Sequence, residues 1–156
     1  MTVEKSGNAL NLKMIVTGST IRAGVTVKSW EDAVDYAGAL LLENGFILPS
    51  YIKAMKKVFK DIGPYAVMAP GIVLLHARPE DGVIHPCLAL ITLSTPINFG
   101  HSENDPVDLV FAMGAIDKDT HILALQQLAE ILADPARLDL IRSTDNDAAL
   151  FKLLVN

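Results

Sequence analysis

The sequence predicts an α/β fold, a sheet whose strands are covered by helices, and three observations carry that expectation. The 156 residues are 51% hydrophobic with a positive mean hydropathy, which suits a well-buried domain rather than a disordered or purely helical charged chain. Short apolar runs fill the centre of the chain at residues 65–69, 72–76, 87–93 and 109–115, as strands covered on both faces do. Amphipathic segments with helix-start signals lie before and after them, and no repeat, linker or low-complexity tract intervenes, so 1–156 reads as a single domain.

The elements follow in order. Residues 1–12 stand outside any periodic pattern and are candidates for disorder. Ser29 opens the clearest helix, with Asp32 at capping-box spacing and Trp30, Ala33, Val34, Ala37, Leu40 and Leu41 on one face, until Gly45 ends it. Pro49 opens a second helix, whose apolar face is Tyr51, Ile52, Met55 and Phe59, opposite Lys53, Lys56, Lys57 and Lys60. Gly63-Pro64 stops it. The four apolar runs come next, punctuated by Pro70-Gly71, by residues 79–82 and by a polar loop over residues 96–106 that contains His101, long enough to suggest a functional loop. Asp119 or Thr120 is expected to cap a helix with Ile122, Leu125, Leu128, Ala129 and Leu132 as its apolar positions. Pro135 follows Asp134 as the first residue of another helix, and Thr144 with Asp147 repeats the capping-box spacing before a last helix over residues 148–155.

Composition excludes several functions. The longest apolar stretch, residues 65–75, is about half the ~20 residues needed to span a bilayer and contains Pro70 and Gly71. The opening residues have no basic start, apolar middle or small-residue cleavage site, so a cytoplasmic location is expected. A net charge of -5 argues against a protein that tracks nucleic-acid backbones. The single cysteine, Cys87, lies in an apolar run and reads as a buried thiol.

The chemistry centres on histidine. His76 ends the run 72–76 just before a charged turn, where a sheet holds a side chain rigidly and a loop can admit a partner. A plain surface histidine is the other reading of that placement. None of the four histidines, His76, His85, His101 and His121, falls in HxxH, HExxH or HxH spacing, so no metal is expected. Nucleophile-elbow and glycine-rich nucleotide motifs are missing too, so no cofactor is expected. His121 falls in the first turn of its helix, where free amides and the helix dipole favour an anion, and its ring could donate to a phosphoryl oxygen, whereas a histidine that merely caps the turn or is solvated is the other reading.

Gly63-Pro64-Tyr65, Ala69-Pro70-Gly71-Ile72, His76-Ala77-Arg78-Pro79-Glu80, Phe99-Gly100-His101, Asn104-Asp105-Pro106-Val107 and His121 with Leu125, in this order, resemble the enzyme IIA component of the bacterial sugar phosphotransferase system. The likeness is to its mannitol and fructose type, and within that to the ascorbate-specific branch. It implies that family's fold, a central mixed sheet flanked by helices on both faces. It also implies that His76 takes a phosphoryl group from the carrier protein HPr and passes it to a cysteine of enzyme IIB, with the membrane enzyme IIC served indirectly. His121 corresponds to the family's second active-site histidine. Arg78 and Thr120 are candidate phosphate or partner contacts, and Arg78 could equally pair with Glu80 or Asp81.

Two departures stand out. Leu75 occupies the place where the family carries proline before the phosphorylated histidine, which leaves that backbone less constrained. Met55 is followed by Lys56, Lys57, Val58 and Phe59 rather than by the arginine and glutamate of the mannitol and fructose branch. A regulatory IIA-like domain that binds a regulator according to its phosphorylation state is the alternative function, and a histidine-based metal hydrolase is a second. An enzyme IIB identity is excluded by the mid-chain position of Cys87. The transported sugar, ascorbate or a related compound, is what the branch resemblance implies.

Overall fold

The computed structural model describes residues 12–155. The elements are α1 (Leu12–Ile15), β1 (Ile21–Val25), α2 (Trp30–Glu43), α3 (Pro49–Ile62), β2 (Val67–Ala69), β3 (Ile72–Leu75), β4 (Cys87–Ile97), β5 (Val107–Gly114), α4 (Lys118–Leu132), α5 (Pro135–Ser143) and α6 (Asp147–Val155). One mixed sheet runs in the order β1-β4-β5-β3-β2. β1 lies parallel to β4 and β3 parallel to β5, whereas β4 with β5 and β2 with β3 are antiparallel.

Alternation along the strands builds two cores. Val73, Leu75, Cys87, Ala89, Ile91, Val110 and Ala112 face α2 and α3. Their neighbours Ile72, Leu74, Leu88, Leu90, Leu109, Phe111 and Met113 face α1 and α4 to α6. Because both faces are covered, the central stretches of β3, β4 and β5 are apolar at successive positions, and the period of two disappears from them. Cys87 is fully buried on β4, and burial pushes its thiol up to about 12, so it is an inert packing residue.

The helix ends explain several differences from expectation. Ser29 caps α2 by accepting from the Asp32 amide at 3.1 Å, but the Asp32 carboxylate reaches back to the Lys28 amide rather than to that of Ser29. α4 is capped by Asp117, not by Asp119 or Thr120. The Asp117 carboxylate accepts from the Thr120 amide at 2.8 Å, and the Thr120 hydroxyl accepts from the Asp117 amide at 3.3 Å. Its buried line is Ala124, Leu128 and Ile131, while Ile122 and Ala129, two turns apart, point outward. Asn146, not Thr144, caps α6 by accepting from the Ala149 amide. The Asp147 carboxylate accepts instead from the Ala23 amide at 2.7 Å, which occupies an N–H of the edge strand β1.

Strand β1 has no counterpart among the expected elements. Arg22 and Gly24 interrupt its apolar residues, and only Ile21 and Val25 are buried. The run 65–69 shortens to β2 because Gly63-Pro64 leads into a 3-10 turn over Pro64–Ala66. β4 continues to Ile97, past the expected end at Leu93, and the exposed Ser94, Thr95 and Pro96 fall where the register with β5 shifts. Expected disorder over residues 1–12 lies outside the described residues except at Leu12, which is buried and donates its amide to the Gln127 side chain at 2.8 Å.

Candidate active site

β3 and β5 are parallel neighbours, paired through Leu75 and Ala112, so their carboxyl ends finish side by side. His76 directly follows β3, and His121 sits in the first turn of α4, reached just after β5. The carboxyl ends of parallel strands are where an α/β sheet opens a cleft. The sheet therefore brings together two histidines 45 positions apart in sequence, with ring centroids 5.4 Å apart and planes at 50°.

The His76 ring is half-buried, with Nδ1 3.0 Å from the Leu74 carbonyl oxygen. A carbonyl only accepts, so in the neutral ring Nδ1 carries the proton and Nε2 keeps its lone pair. Leu75, in the place of the family's proline, is buried and held in the ladder opposite Ala112, so the sheet constrains the position that the sequence left in doubt.

Burial, and then the charge of His76, hold His121 below its ordinary value of 6.5. The fold thus prefers the neutral ring. For a base depressed in this way, stability is full above the ordinary value and falls as pH drops through it toward the folded value. Asp81, lowered by its bonds from Arg78, and Asp117, lowered by those from Thr120, lose their contributions only below 3.8. His121→Gln is therefore expected to flatten the loss of stability between pH 7 and pH 5.5, measured by urea midpoints. Parallel curves for both proteins would contradict the assignment.

The cleft around the two rings has a volume of about 890 Å³. Val58 and Ile62 of α3, Ala77, Ala115 and Ile122 supply its apolar wall, and Lys57, Asp61, Arg78, Asp81, Asp117 and Lys118 its charged rim. Arg78 is exposed and pairs with Asp81 at 3.2 Å, with Glu80 farther off at 3.8 Å. It is on the rim and ion-paired at once. Thr120 does not line the cleft, and its hydroxyl is spent in the capping box, donating to the Asp117 carbonyl at 3.1 Å. Two of the amides in this turn are also taken, that of Thr120 by the Asp117 carboxylate and that of His121 by the Asp117 carbonyl.

The remaining histidines serve structure. His85 stacks on Phe46 at 5.4 Å. His101 Nδ1 accepts from the amides of Glu103 and Asn104, while the Asp105 carboxylate accepts from those of Phe99, Gly100 and His101. This loop closes on itself and receives the Gly71 amide at the start of β3, the opposite end from His76. The long polar loop is therefore not part of the cleft. Ile62 and Ile122, 59% and 50% exposed, are the site residues that periodicity misplaced or passed over. Apolar spacing marks a helical stripe but not which side of it meets a partner.

The fold and the paired rings define an α/β sandwich that presents two imidazoles at adjacent strand ends. The family model described as "Phosphoenolpyruvate-dependent sugar phosphotransferase system, EIIA 2" matches residues 14–156, and the chain belongs to that family, whose members are phosphotransferases. It is 33% identical over 141 residues to the ascorbate-specific PTS system EIIA component of Shigella boydii serotype 4 (strain Sb227), covering 90% of this chain and 92% of the relative. The solution structure of the mannitol-specific cryptic phosphotransferase enzyme IIA CmtB from Escherichia coli superposes with a TM-score of 0.80 at 29% identity, covering 92% of this chain and 96% of that one. Enzyme IIA for mannitol from Escherichia coli, solved in complex with phosphorylated enzyme IIB, shares the fold with a TM-score of 0.79 at 23% identity, covering 90% and 98%. The resemblance and the fold class expected from the sequence are both borne out.

Proposed function

We propose that this chain is a cytoplasmic phosphocarrier that accepts a phosphoryl group from phospho-HPr on Nε2 of His76 and passes it to a cysteine of enzyme IIB. The Nδ1 contact to the Leu74 carbonyl carries this reading, because it leaves Nε2 as the ring's lone pair at the mouth of the cleft. In the first step the phosphorus–nitrogen bond on the donor's histidine breaks as a bond to His76 Nε2 forms. In the second, the thiolate of enzyme IIB attacks the same phosphorus and His76 leaves with its lone pair.

The phosphoryl group arrives already activated on an imidazole, so the exchange calls for no nucleotide and no metal on this chain. Positioning and charge stabilisation are what the protein must supply. His121, held neutral, can donate one N–H to a phosphoryl oxygen, and Arg78 can turn from Asp81 toward the incoming charge. The apolar wall with its charged rim suits partners that dock in turn and leave quickly.

The similarity to ascorbate-specific relatives supports transfer toward ascorbate or a related carbohydrate. Transfer from the phosphorylated chain to a panel of enzyme IIB proteins tests this, with the ascorbate type expected to be fastest. Transfer to none of the panel would contradict the carrier role, and a clear preference for another type would redirect the substrate.

A further inference from the structure

The ladder of β3 ends at Leu75, so the peptide after His76 has no strand partner. Its amide, that of Ala77, donates instead to the hydroxyl of Tyr51 at 2.9 Å. Tyr51 is fully buried in the third position of α3, and its own proton goes to the Met113 carbonyl on β5 at 2.6 Å. One phenol oxygen thus ties the residue after the nucleophile to the neighbouring strand. Burial raises the phenol well above its ordinary value of 10.0, so the donor persists across the working range of pH.

The adjoining turn is strapped to the same helix start. The Ser50 hydroxyl donates to the Asp81 carbonyl at 2.9 Å, and the Leu48 amide donates to the Gly82 carbonyl at 2.8 Å. Gly82 has a φ of 140°, and a Cβ on it would lie 2.8 Å from Ser50 Oγ, so the close approach itself requires glycine.

We propose that Tyr51 is a positioning residue for His76: its hydroxyl holds the His76–Ala77 peptide plane and thereby fixes ψ of His76, keeping the ring's Nδ1 on the Leu74 carbonyl and its Nε2 toward the cleft. This rests on the reading of His76 as the phosphoryl acceptor. A phenylalanine would fill the same space, so the hydroxyl alone distinguishes the two side chains. The clamp acts from the carboxyl side of His76, complementing the ladder that holds Leu75 on the other side.

The test is Tyr51→Phe in the full chain, phosphorylated by phospho-HPr under single-turnover conditions over a range of HPr concentrations. The maximal rate is expected to fall about 10- to 100-fold as the ring loses its fixed orientation, with the half-saturating HPr concentration unchanged. Ring nitrogen chemical shifts of His76 are expected to move from a single Nδ1–H tautomer to a mixture, a signature that a purely structural role would not produce. An unchanged maximal rate and tautomer would overturn the inference. Should that variant not fold, hydrogen exchange on the unmodified chain decides: the Ala77 amide is expected to be protected like those of β5, and exchange at the rate of an open loop overturns the clamp. Failure of the unmodified chain to accept phosphate would sink the carrier reading instead, so the two failures are distinguishable.

Discussion

His76→Ala is expected to abolish labelling of the chain by phosphoenolpyruvate, enzyme I and HPr, while leaving the fold intact. The ring sits at the end of a strand, half-buried, and among the described residues its hydrogen bond is the Nδ1 contact to the Leu74 carbonyl. Losing that bond costs about 1 kcal/mol, a small part of the stability of a domain this size. Loss of the nucleophile, by contrast, removes the nitrogen on which the phosphoryl group is proposed to ride. Cys87 is buried with its thiol pushed up to about 12, and His85 and His101 lie outside the cleft. Circular dichroism unchanged from the parent, together with no radiolabel from phosphoenolpyruvate, is the expected result. Label retained on the variant would assign the acceptor elsewhere.

His121→Ala is expected to give a chain that still takes label but transfers it poorly to enzyme IIB. With ring centroids 5.4 Å apart, His121 is close enough to reach an oxygen of a phosphoryl group on His76 Nε2. Removing a single preorganised donor to developing negative charge typically costs about 100-fold or more in rate. The amides of Thr120 and His121 cannot substitute, since the first is occupied by the Asp117 carboxylate and the second by the Asp117 carbonyl. Rapid-quench measurement of the transfer step checks this, and transfer at the parent rate would remove His121 from the mechanism.

The buried strands β3, β4 and β5 were legible because their apolar runs are unbroken and flanked by glycine or proline, α2 because cap and stripe agree, and α3 because Pro49 at its start agrees with its stripe. β1 was not, because an edge strand with Arg22 and Gly24 needs only Ile21 and Val25 in the core. The cap of α4 was placed two or three residues late because Asp117, Asp119 and Thr120 all carry capping side chains, and only the fold shows that Asp117 closes the reciprocal pair. The same slip put Ile122 in the core rather than on the wall of the cleft.

At the site, His76 could be marked from its place at a strand end. The meeting of His76 with His121 depends on β3 and β5 being parallel neighbours, which no local pattern encodes. Tyr51 is harder still to find. In sequence it is one more apolar position on α3, and its hydroxyl gains meaning only once β5 and the turn after β3 converge on it.

In the proposed carrier the phosphoryl group rides on Nε2 of His76. Phosphorylation by phospho-HPr followed by phosphorus and proton–nitrogen correlation NMR on the intact chain tests it most directly. One phosphohistidine is expected, with phosphorus coupled to Nε2 of His76 and the proton remaining on Nδ1. Phosphorus on Nδ1, or on any residue other than His76, would contradict it.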